Sequence, residues 1–205
     1  MTNKHSIIAI GTTLIYFGVA WFFPWKLFQI DSTISISYLW DILFCVVVGG
    51  TFSVPLKGSN LNGMVVRILA ITALGCLSLF VLNYSGVEVP FKFLEHPIIQ
   101  LLILAPIVEE FVFRYALLGL YLQRIKSKNV GLLASSVLFS ISHLPGMWHL
   151  PQEFAAFVYI QLGYTFCMGW IIGKARIRTG GVLEPIILHF IFNLLFYVAV
   201  IKGII

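Results

Sequence analysis

Glu109 and Glu110 stand side by side in an almost wholly apolar run, Pro97 to Leu122, and Arg114 follows four residues after the second. Ionisable groups at the centre of a membrane-length segment are costly and by default mark function. The helical repeat places Glu110 and Arg114 on one face as an i, i+4 pair and turns Glu109 about 100° away. One carboxylate can then be held by the arginine while the other stays available for chemistry. Three more polar side chains fall in or at the edge of apolar runs. His143 closes Phe139-Ser-Ile-Ser-His143, and His189 and Asn193 form a second i, i+4 pair on a single helix face.

These residue types point to hydrolysis by an activated water. A carboxylate at low dielectric suits a general base working near neutral pH. Histidine and asparagine can hold a water beside it and donate to the oxyanion of a tetrahedral intermediate. Glu109, His143 and His189 could instead ligate a metal ion, zinc for instance, with water in the open position. No H-E-x-x-H is present, so ordinary zincin chemistry is not indicated. No G-x-S-x-G elbow is present either, so serine catalysis has no support.

The elements that must position these groups are membrane helices. Of 205 residues, 60% are hydrophobic and 10% charged, with a mean hydropathy of +0.98. A soluble domain carries about 25% charged residues, so the composition excludes one and predicts an all-α polytopic transmembrane bundle of about seven spans, within six to eight. The spans are expected at 6–24, 36–55, 64–84, 97–122, 129–144, 152–173 and 182–201, in one transmembrane domain. The first follows a short basic start and leads to Pro24-Trp25-Lys26 with no small-x-small cleavage site, so it reads as an uncleaved helix. Helical rise puts Glu109 at ~20 Å and His143 at ~21 Å from the inner ends of their spans, with His189 shallower at ~10 Å. A shared polar site at similar depth is the expectation.

The net charge of +5 would suggest nucleic acid for a soluble chain, but here the basic residues gather near span ends and set orientation. With the N-terminus cytoplasmic, the inner side collects Lys4, Lys57, Arg67, Arg124, Lys126, Lys128, Lys174, Arg176 and Arg178. The outer side has Lys26, Lys92 and Lys202. No nucleic-acid partner is expected, and membrane lipids are. Several residues carry a plainer reading. Cys45, Cys76 and Cys167 read as packing or lipid-facing side chains, Asp41 as a hydrogen bond to a neighbouring helix, and His149 and Glu153 as solvated turn residues. Glu95 and His96 read as a helix cap region, Glu184 as a charge favoured at a helix start, and Trp21, Trp25, Trp148 and Trp170 as interfacial residues.

The three motifs together, Glu109-Glu110-x-x-x-Arg114, Phe139-x-x-x-His143 and His189-x-x-x-Asn193, resemble the CPBP family of intramembrane proteases. That family includes CAAX prenyl endopeptidases of the Rce type and bacterial Abi proteins. The resemblance covers roughly 97–201 as a catalytic core and leaves 1–96 as additional N-terminal membrane helices. It implies an intramembrane endopeptidase in which Glu109 activates water, His143, His189 and Asn193 complete the site, and Glu110 with Arg114 plays a supporting, positioning part. It implies no required cofactor, with zinc the less favoured alternative. The substrate it implies is a protein or peptide with a membrane-associated segment. A literal CAAX substrate is not expected, because prenylation is chiefly eukaryotic and this short chain reads as a prokaryotic plasma-membrane protein. Two other functions fit buried Glu and His groups: a proton-coupled transporter, and a non-catalytic immunity or scaffold protein of the same fold.

Overall fold

The computed structural model describes residues 3–25, 36–52, 54, 62–90 and 98–205, with side chains from residue 6 onward. The expectations placed on Lys26, Lys57, Lys92, Glu95, His96 and Pro97 lie outside the described residues, and so does the side chain of Lys4. Among the described residues the architecture is all-helical, with seven principal helices. We label them α1 (Asn3–Phe22), α2 (Ser37–Phe52), α3 (Met64–Tyr84), α4 (99–124), α5 (Lys128–Ile141), α6 (Ala155–Thr179) and α7 (Leu183–Ile201). A one-turn helix, Gly146–His149, and a 3-10 turn, Gln152–Phe154, join α5 to α6. Four stretches are long and apolar enough to cross a membrane: Met64–Tyr84, Lys128–His149, Gln152–Thr179 and Leu183–Ile201. Val65, Val66, Leu69, Leu77 and Phe80 of α3 are each more than half exposed, the outward apolar face of a helix bathed in lipid rather than water.

Helix α4 departs from regularity in a way its sequence did not announce. A six-residue α-helical stretch, Ala105–Glu110, lies between two π-helical ones, Ile99–Leu104 and Phe111–Leu117. In the first, the Ala105 N–H bonds back five residues to the Gln100 carbonyl. The next donor in that series is Pro106, which has no N–H, so the Leu101 carbonyl loses its helical partner. Asn193 of α7 supplies the replacement, donating from Nδ2 to Leu101 O at 2.7 Å. In the second stretch, Ser135 Oγ donates to Phe113 O at 3.1 Å and Arg176 Nε donates to Arg114 O at 3.1 Å. These hydrogen bonds from α5 and α6 tie both helices to the irregular backbone of α4.

Two sequence expectations change at the end of α6. Lys174, Arg176 and Arg178 were expected in a loop after residue 173, but the helix continues to Thr179 and ends on Gly180, whose φ of 75° supplies a left-handed cap. Basic side chains in a last helical turn are favoured by the helix dipole, so the charges prolong the helix. Arg176 is buried by its bond to α4 rather than lying at a membrane surface. Arg67 in the first turn of α3 makes a two-pronged ion pair with Glu184 of α7, at 2.6 and 2.9 Å, a specific partner where a general helix-start effect was expected.

Close approach of α5 and α6 depends on small residues. A Cβ on Gly169 would meet Ser136 Cα at 3.2 Å and the Phe139 ring at 3.3 Å, and one on Gly173 would clash with Leu132. Small-x-x-x-small faces let membrane helices pack by contact where the hydrophobic effect between them is absent. Gly169→Leu is expected to force the pair apart and lower stability by about 1–3 kcal/mol, read as a reduced Tm in detergent micelles. Gly163→Leu, at a position with open space around the Cβ, is expected to leave Tm within experimental error.

Candidate active site

The site is built where α4, α5 and α7 meet. Glu110 and Arg114 project from α4 into the bundle, both fully buried, with Arg114 Nε 3.0 Å from Glu110 Oε2. The contact is an ion pair without the line of a directed hydrogen bond, since neither atom has a hydrogen-bond partner among the described residues. The other Glu110 oxygen, Oε1, accepts a hydrogen bond from Nδ1 of His189 at 2.8 Å. A carboxylate only accepts, so the proton in this contact belongs to His189 Nδ1, and in the neutral form of the ring the lone pair is on Nε2. That Nε2 lies 4.0 Å from Glu109 Oε2.

Glu109 differs from its neighbour in surroundings. Its side chain is 30% exposed, whereas that of Glu110 is fully covered. The Oε2 atom facing His189 is itself covered and has no hydrogen-bond partner among the described residues. The two glutamates thus occupy different settings one residue apart, as the 100° turn between adjacent helical positions requires.

Phe139 of α5 is the packing centre of the site. The Arg114 guanidinium lies over its ring, 4.2 Å from the centroid, and Phe113 meets it edge-on at 5.1 Å. Both histidine rings stand nearly perpendicular to it, His143 at 5.3 Å and 82°, His189 at 5.9 Å and 85°. His143 sits just past the end of α5, where its Nδ1 donates to the Phe139 carbonyl at 2.9 Å and leaves Nε2 as the ring's acceptor.

Glu109, His143, His189 and Asn193 all line one cavity of about 250 Å³. Glu110 and Arg114 lie behind its wall. His149 and Glu153 are exposed and line neither this cavity nor its neighbour. Asp41 is hydrogen-bonded by the hydroxyl of Tyr16 on α1, at 2.8 Å. The cavity also takes Tyr38, Gln100, Gln161, Tyr164 and Thr165, none of them singled out from the sequence. For Gln161 and Thr165 a signal existed, since they are polar residues at i, i+4 spacing in an apolar span. Tyr38 carried none. Among the described residues no three His, Cys, Asp or Glu side chains are grouped to hold a metal ion, so Glu109, His143 and His189 share a cavity without forming a ligand set.

A family profile described as Type II CAAX prenyl endopeptidase Rce1-like matches residues 94–195, a stretch that contains all seven residues named in the three motifs. No curated protein and no solved structure matches the chain. Fold and profile together define an integral membrane protein of a peptidase family. The chain belongs to the CPBP family, that of the CAAX proteases.

The buried trio makes a direct test possible. Glu110→Gln leaves the Arg114 charge uncompensated and is expected to destabilise the fold by about 3–5 kcal/mol. Removing the charge at both positions, Glu110→Gln with Arg114→Met, is expected to be less destabilising than the sum of the two single changes. Unfolding followed in detergent for the four proteins of this cycle gives the coupling energy.

Proposed function

We propose that the protein is an intramembrane endopeptidase that cleaves a membrane-anchored or secreted protein by glutamate-activated water. The observation that carries this reading is the 4.0 Å separation of Glu109 Oε2 from His189 Nε2 in a cavity large enough for a peptide backbone. The gap is too long for a direct hydrogen bond, and both facing atoms are acceptors. A water admitted between them by a shift of the partly exposed Glu109 side chain donates one hydrogen to each, which aims its lone pair into the cavity.

The steps then balance on this chain's own residues. Glu109 takes a proton as the water oxygen bonds to the substrate carbonyl carbon. The carbonyl oxygen becomes an oxyanion, held by the second Asn193 amide hydrogen, the first being committed to Leu101 O. Glu109 returns the proton to the amide nitrogen, the C–N bond breaks, and an acid and an amine leave. His143 orients the water or substrate through Nε2, and Glu110 with Arg114 acts through His189. The reading requires no metal ion. Residues 97–201 supply the catalytic groups on this account, and the helices before them wall the cavity, as Tyr38 of α2 does.

Orientation follows from charge. Arg67, Arg124, Lys126, Lys128 and Arg178 gather at the end of the bundle where α3, α5 and α7 begin. Tyr38, Gln100 and His143 lie at the opposite end. With the basic end cytoplasmic, in a prokaryotic plasma membrane, the cavity opens toward the outer face.

Glu109→Gln is expected to lower cleavage of the natural substrate by about 10²–10⁴-fold while leaving Tm and monodispersity unchanged. The substrate can be found by comparing membrane-anchored proteins, by mass spectrometry of their termini, between cells with and without the protein. Full cleavage by Glu109→Gln would sink the mechanism. Exhaustive chelation is expected to leave the wild-type rate unchanged, and a loss restored by zinc would replace the glutamate mechanism with a metal one.

A further inference from the structure

A second cavity, of about 170 Å³, lies between α1, α2 and the turn that follows α5. It shares that turn with the active site: His143 lines the first cavity, Ser142 and Pro145 line the second. Its walls are aromatic. Tyr16 stacks on Trp40 with centroids 6.4 Å apart and planes 15° from parallel, and it meets Phe17 edge-on at 5.2 Å. Phe17 in turn meets Trp21 at 5.2 Å and 77°.

Asp41 stands in this wall. Its Oδ1 accepts the Tyr16 hydroxyl, and among the described residues no cation pairs with it. The Nε1 donor of Trp40, the adjacent residue, is buried with no acceptor among the described residues. A carboxylate on a membrane-spanning helix calls for a partner of opposite charge. Rings around a carboxylate hold a cation twice, by charge and by the negative faces of the π systems.

We propose that this aromatic pocket around Asp41 is a substrate subsite that takes a lysine or arginine side chain close to the bond cleaved at Glu109. The subsite rests on the endopeptidase reading for the identity of its ligand, and it deepens that reading by naming a substrate feature. A neighbour one turn of chain away from His143 would fix the register of an extended substrate across the site, as a specificity pocket does.

The test reads binding, so it stands apart from catalysis. Full-length protein carrying Glu109→Gln, in detergent micelles, is titrated with fluorescein-labelled apolar peptides that carry a single Lys or its Gln counterpart at successive positions. Anisotropy is expected to give about tenfold tighter binding of the Lys peptide at one position, and equal binding elsewhere. Asp41→Asn keeps a carbonyl acceptor for Tyr16 and is expected to erase the difference without weakening the Gln peptide. Trp40→Leu, which keeps the carboxylate, is expected to reduce it. Equal affinities at every position, or a preference that survives Asp41→Asn, would overturn the proposal. Loss of the preference in micelles containing phosphatidylethanolamine, but not phosphatidylglycerol, would assign the pocket to a lipid amine and also overturn it. Undiminished cleavage by Glu109→Gln with the Lys preference intact would reject the mechanism alone.

Discussion

The Glu110 carboxylate, shared between Arg114 and His189 in the interior of the bundle, is the interaction on which the rest of the site depends. Taking an ion out of water costs several kcal/mol, so a buried charge persists only where partners meet it from more than one side. Here one oxygen faces a guanidinium on its own helix and the other a ring from α7. The consequence is geometric. With Nδ1 committed to Glu110, the His189 ring cannot rotate, and its Nε2 stays aimed at Glu109. A carboxylate thus determines which nitrogen of the neighbouring imidazole faces the cavity, as outer-shell carboxylates do for histidines in many catalytic sites. Phe139 completes the restraint by filling the space between the guanidinium and both histidines, so that neither ring has an alternative position.

Irregularity in α4 serves the same end. A straight α-helix satisfies all of its own carbonyls and offers none to its neighbours. The missing N–H of Pro106 frees the Leu101 carbonyl, and the carbonyls of Phe113 and Arg114 in the second π-helical stretch each take a side-chain donor; all three are met from different helices. Within a bilayer no water replaces a lost backbone partner, so these bonds are strongly held. They anchor α5, α6 and α7 to α4 on either side of the glutamates. π-helical turns inside longer helices recur at functional sites for this reason: they expose polar backbone where a regular helix would hide it.

What was legible in the sequence followed from spacing and cost. An apolar run makes each polar side chain conspicuous, so Glu109, Glu110, Arg114, His143, His189 and Asn193 could be read directly, and i, i+4 spacing gave the right pair for Arg114. The seven helices were legible from hydropathy for the same reason. Hidden features were those whose residues look ordinary in an apolar chain. Phe139 opens the second motif, but among 18 phenylalanines nothing in its type marks it as the ring beneath Arg114. The π-helical stretches leave no periodic trace in a segment apolar on every face. Arg176 read as a surface charge because its partner is a backbone carbonyl, which no sequence pattern displays.

The two ends of the bundle also divide the work between orientation and chemistry. Basic residues at one end are held by structure: Arg67 is locked to Glu184, and the αL turns at Gly63 and Gly180 bring Arg67 and Arg178 within about 4 Å of one point. Asp41 and His143 lie toward the other end, Glu109 lines the cavity from within α4, and among the described residues no lysine or arginine lines either cavity. A bundle polarised in this way separates two demands that would otherwise conflict. On the orientation proposed here, fixed cations set the insertion direction at the interface, where charge is cheap. The cavities at the far end keep their carboxylates clear of lysine and arginine, so that Glu109 is not neutralised by a permanent partner and Asp41 remains open to one that arrives with substrate. Arg114 lies under the Phe139 ring and against Glu110 and lines neither cavity. On the mechanism proposed here, that placement is what lets a base and a buried cation occupy the same few residues of one helix.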